Sequence, residues 1–101
     1  MARGKPVVLD TISFRTKKDA ITHFRTILAK YSPGETVSGA DGAYLIALLN
    51  RHPEAADKIG VGIHHFEVIS AEFATKCFAV VQRNGTLIDF SYLVCVNNDP
   101  N

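Results

Sequence analysis

Lys17, Lys18, Arg25 and Lys30 crowd one short stretch of the chain. Cations spaced this way along a helix make a strip that neutralises phosphates, which supplies affinity without reading base sequence. The wider charge distribution points the same way. The first thirty residues hold seven Lys and Arg against Asp10 and Asp19, a surplus of five. The remainder holds Arg51, Lys58, Lys76 and Arg83 against eight acids, a deficit of four, and the whole chain sums to +1. An anionic partner at one end fits that asymmetry, with Lys58 and Arg83 assisting the strip from the other half. The plainer reading is the solvated face of an amphipathic helix.

Other residue types suggest other chemistry, each with a structural alternative. His52, one of His64 or His65, and Asp89 are the side chains from which a metal-dependent nuclease centre could be built. His64 and His65 are adjacent on a predicted strand, so they should point to opposite faces and not share one metal. His52, before Pro53, also suits a helix end. Asp89 lies in an apolar run and needs a partner if buried; Arg83, Lys58 or a backbone amide would serve. Phe66, Phe78, Phe90 and Tyr92 could stack on bases, but a small core needs such rings. Gly60 and Gly62 in KIGVGI precede a strand rather than a helix, which argues for a bend and against a dinucleotide fingerprint. Cys77 and Cys95 form no C-x-x-C pair, and the four His lack zinc-finger spacing, so no metal, cofactor or catalytic set is expected.

These side chains depend on a simple order of elements. PVVLDTISF at 6–14 has a strand pattern. Thr16, with Asp19 three residues on, caps a helix whose apolar residues are Ala20, Ile21, Phe24, Ile27, Leu28 and Tyr31; Lys18, Thr22, Arg25, Thr26 and Lys30 lie off that stripe. Pro33-Gly34 ends it. Ser38 and Asp41 begin a second helix with Tyr44, Leu45, Leu48 and Leu49, followed by a short turn through Ala55, Ala56 and Ile59. Strands are expected at 63–70, 77–83 and 86–94, the last two joined by Asn84-Gly85 as a two-residue hairpin turn. That turn pairs Val81 with Ile88, Ala79 with Phe90 and Cys77 with Tyr92 on a helix-covered face. Gln82 with Leu87, Val80 with Asp89 and Phe78 with Ser91 then fall on a mixed face. In this register Cys77 and Cys95 point apart. The fold class is α+β, ordered β-α-α-β-β-β: two main helices pack on one face of a small, mostly antiparallel sheet.

The chain has 101 residues, 47% of them hydrophobic, which suits one domain with a core at about 7–96 and a tail at 97–101. No apolar run approaches the ~18 residues of a membrane span, and the start carries no signal-like stretch, so a soluble cytoplasmic protein is expected.

The order of pieces resembles the DCL family (defective chloroplasts and leaves), known in bacteria and phages as a domain of unknown function. The resemblance rests on F-x-T-K-x-x-A at 14–20 running on to F-R-x-I-L at 24–28 and on D-x-x-x-L-x-x-L-L-x-x-H-P from Asp41 to Pro53. It continues through KIGVGI at 58–63, CFAVVQRNG at 77–85, DFSY at 89–92 and Cys95. It covers roughly 12–96. Asn84-Gly85 stands where the family often has Asp-Gly, and Val94 where it often has Lys. Plant members are associated with plastid ribosomal RNA maturation, and a similar domain ends the largest subunit of plant-specific RNA polymerases. The resemblance therefore implies a non-catalytic module bound to RNA or to an RNA-associated complex, and a free edge strand of a small sheet leaves monomer or dimer open. The rival readings are a protein-interaction adaptor using the exposed sheet face or an edge strand, and the minimal nuclease.

Overall fold

The computed structural model describes residues 7–9, 13–72 and 75–98. The segment expected as one strand at 6–14 is a small hairpin: β1 (Val7–Val8) pairs antiparallel with β2 (Ser13–Phe14), apart from the main sheet. Pro6 and residues 10–12 lie outside the described residues.

Helix α1 (Lys17–Lys30) begins as its sequence dictates. Thr16 Oγ1 accepts from the Asp19 N–H at 3.1 Å, and Ala20, Phe24 and Ile27 are buried. Strand β3 (Thr36–Val37) follows, then α2 (Gly39–Leu49), which buries Leu45, Ala47, Leu48 and Leu49. Ser38 is the N-cap residue, but its side chain makes no capping bond. Asp41 turns instead to α1, accepting from Tyr31 Oη at 2.9 Å and pairing with Lys30 Nζ at 2.7 Å. The short α3 (Ala55–Ile59) completes the first half.

Strands β4 (Ile63–Ala71), β5 (Thr75–Gln82) and β6 (Leu87–Phe90) join β3 in an antiparallel sheet ordered β3-β4-β5-β6. The hairpin differs from the expected one. Gln82 C=O accepts from Gly85 N–H at 2.9 Å and Gln82 N–H donates to Thr86 O at 2.8 Å, so the loop holds three residues, Arg83 to Gly85. Gly85, at φ 89°, supplies the left-handed residue that such a loop requires. The extra loop residue slips the register by one: Phe78 pairs with Phe90, Ala79 with Asp89 and Val80 with Ile88. A one-residue slip exchanges faces. Phe78 and Val80 therefore move to the core beside Phe90, Phe66 and Val68, and Cys77 and Ala79 move to the outer face beside Asp89. Fully burying each phenyl ring contributes roughly 2–3 kcal/mol.

The strand expected through residue 94 stops at Phe90. Residues Tyr92–Asn97 form α4, with Ser91 Oγ accepting from the Val94 N–H at 3.3 Å as its cap. Tyr92, expected opposite Cys77, is thus off the sheet. The β-branched residues of α4 disfavour a helix, and packing overrides them: Cys95 and Val96 are fully buried. The fold class is α+β, with helices over one sheet face. Asn97 ends α4, and 99–101 lie outside the described residues. Both cysteines are free. Among the described residues, no helix is long and apolar enough to cross a membrane.

Candidate functional site

Because β6 ends opposite Phe78, Lys76 and Cys77 of β5 have no β6 partner where the chain leaves the sheet for α4. The gap is an open cleft of about 530 Å³. Leu28 of α1, His52, Lys58 of α3, Lys76, Cys77 and the turn from Asp89 to Leu93 line it. All five stretches that carry the family resemblance contribute to it, although they lie far apart in sequence.

Its polar groups are held by backbone. Lys58 Nζ donates to the Asp89 carbonyl at 3.0 Å, and Lys76 Nζ to the Tyr31 carbonyl at 2.6 Å. An ammonium carries three protons, so each bond leaves two. His52 Nδ1 accepts from the Glu54 N–H at 2.9 Å. Burial, and secondarily Lys58, push the His52 pKa below its ordinary 6.5. The neutral ring then carries its proton on Nε2, assigned from that hydrogen bond, and is a donor. Burial and then Asp89 raise the Cys77 pKa above its ordinary 9.0, so the thiol stays protonated near neutral pH and is no nucleophile.

The cations singled out in the sequence are not gathered into one patch. Lys18 and Arg25 are exposed. At about 100° per residue they flank the stripe of α1 on the side of Ile21 and Leu28, and Leu28 borders the cleft. Helix α4 lies on that flank too: Lys17 Nζ reaches the Asn97 carbonyl at 3.4 Å. Lys30 occupies the opposite flank with Asp41. Arg83 is in the hairpin loop, where its N–H donates to Gly62 O at 2.9 Å.

His52 and Asp89 do meet at the cleft, but His64 and His65 belong to the β4 side of the sheet, so the three-part nuclease centre is not assembled. Nor do the two adjacent histidines diverge. The β4–β5 register shifts between Ile63 and His65, which inserts His64 as an extra residue. The rings meet, with Nδ1 to Nδ1 at 2.6 Å, and His65 Nε2 lies 2.7 Å from Glu67 Oε2. Among the described residues no three His, Cys, Asp or Glu are grouped to hold a metal. Asp89 is exposed on the outer face, so its carboxylate needs no buried partner; Lys58 bonds its carbonyl instead. Phe66, Phe78 and Phe90 are core residues, while Tyr92 is half-buried at the cleft. Lys76 was not legible as a site residue, since only the three-dimensional end of β6 exposes it. Tyr92 is legible within DFSY, but it begins α4 rather than lying on the strand expected at 86–94.

A solved structure of similar shape exists: the solution NMR structure of an uncharacterized protein from Rhodospirillum rubrum. It has a TM-score of 0.85 and 41% identity over 94% of this chain and 91% of that one. The DNA-directed RNA polymerase IV subunit 1 of Arabidopsis thaliana is 34% identical over 73 residues, which are 71% of this chain and 5% of the subunit. The chloroplastic protein DCL of Solanum lycopersicum is 34% identical over 70 residues, 66% of this chain and 31% of that protein. The chain thus spans about a twentieth of the polymerase subunit and under a third of the DCL protein. Residues 25–96 match the family described as "Protein of unknown function (DUF3223)", and the chain belongs to that family of DCL-like domains.

Proposed function

We propose that the chain is a small binding module of RNA-associated machinery that contacts RNA phosphates. One observation carries this reading: Lys18 and Arg25 on the exposed flank of α1, and Lys58 and Lys76 in the cleft, lie on the side of the molecule that α4 occupies. The likeness to a segment of an RNA polymerase subunit supports it. Such contacts release counterions, so binding falls as salt rises.

Four phosphate contacts give a slope of log affinity against log salt of about −3. Fluorescence anisotropy with single-stranded and structured RNA, at low and physiological salt, measures it. Lys18→Glu with Arg25→Glu is expected to weaken binding by more than tenfold and flatten the slope by about 1.5. Absence of binding at low salt would overturn the reading. It would direct attention to protein partners on the outer sheet face, where Glu67 and Asp89 flank Ala79.

A further inference from the structure

We infer that the cleft between β6 and α4 receives a single phosphate-bearing nucleotide unit, so that the module holds RNA by such an end. This deepens the RNA reading and rests on it. The cleft's volume falls within the ~300–1,000 Å³ of small-molecule sites. Its walls also differ in kind. Lys58 and Lys76 bring two ammonium groups with spare protons, and His52 adds an Nε2–H donor; together they suit a phosphate dianion. Asp89 offers only acceptors, which suit the N–H edge of a base. The half-buried ring of Tyr92, with Leu28, supplies apolar surface for the base plane. The groove beside β4 and α2 has no lysine or arginine in its walls and lacks this combination. A carboxylate accepts two parallel bonds from the adjacent N–H groups of guanine and only one from uracil, so guanine is the better occupant.

The chemistry is shared by a free nucleotide and by a phosphorylated RNA end, and the experiment separates them. NMR titration of the ¹⁵N-labelled chain with GMP, UMP and inorganic phosphate should move amides at 52, 54–58, 76–77 and 89–93. GMP should bind more tightly than UMP. Asp89→Asn should erase that preference, and Lys58→Met should weaken GMP by roughly tenfold. In parallel, anisotropy compares single-stranded RNA with and without a 5′-phosphate; tighter binding of the phosphorylated strand identifies the RNA end as occupant. If inorganic phosphate matches GMP, or if GMP moves nothing and the 5′-phosphate makes no difference, the nucleotide site is overturned. RNA binding lost in Lys18→Glu/Arg25→Glu would still uphold the module reading in that case. If GMP binds at the cleft but no RNA binds, the RNA-end assignment is overturned and the site belongs to free nucleotides.

Discussion

Arg51 makes the bonds that hold the last helix. Its Nε donates to Cys95 O at 3.0 Å, and its Nη2 donates to Val96 O at 3.1 Å and Asn98 O at 2.8 Å. Asn98 Nδ2 returns a bond to Arg51 O at 2.6 Å. A helix C-terminus leaves carbonyls unpaired and carries partial negative charge, so a guanidinium there satisfies both. Arg51→Ala is expected to lower unfolding free energy by about 3 kcal/mol in urea denaturation. Arg51→Lys should recover little, because an ammonium cannot reproduce the planar fork. No local signal marks Arg51, since its partners lie 44 to 47 positions away.

His23 is a second case. Its ring packs between Phe14, Phe24 and Tyr44, and its Nε2 is buried without a partner among the described residues. Burial lowers its pKa below 6.5; Asp41 opposes this and Lys30 adds to it. The fold therefore favours the neutral ring. That contribution is complete above pH 6.5 and is lost as pH falls from there towards the lowered value. His23→Phe should flatten this slope, leaving the part due to His52, and should stabilise the fold by about 1 kcal/mol. Thermal melts across that pH window check both.

Between elements, the glycines of KIGVGI act through what lies over them. Gly60 has φ 53°, and a Cβ there would sit 2.5 Å from Gln82 Nε2. That amide donates to the carbonyls of Lys58 at 2.9 Å and Asp57 at 3.4 Å, tying α3 to the end of β5. Gly60→Ala should thus combine left-handed strain with loss of this tie and cost about 3 kcal/mol. Gly85→Ala meets nothing within 4 Å and should cost only the strain, about 1–2 kcal/mol. Chemical denaturation of the two variants tests the difference. The helices were legible because periodicity and the Thr16 cap are local signals. The hairpin was legible as a hairpin but not in register, because Asn84-Gly85 is compatible with both two- and three-residue loops. That ambiguity moved Phe78 and Val80 from the outer face to the core. Helix α4 left only Ser91 as a clue.

In the whole molecule, the side around α4 carries Lys18, Arg25, Lys58 and Lys76, while Glu67 lies on the outer sheet face and Asp89 at the rim where that face meets the cleft. The asymmetry counted along the sequence indicated an anionic partner but not this placement, because Lys30 is paired with Asp41 on the opposite flank of α1 and Arg83 sits in the β5–β6 loop. The clasp on α4 also sets a clock. Contacts so distant in sequence are expected to close after the β5–β6 hairpin and the nearer helix contacts have formed. Arg51→Ala should then leave the refolding rate nearly unchanged and speed unfolding on the order of a hundredfold, as stopped-flow chevrons would show. Amides of Tyr92–Asn97 should exchange with deuterium ahead of those in β4 and β5. A cleft with one wall on the last segment to dock can open while the sheet stays folded, so release of anything bound there would be the same event as local unfolding.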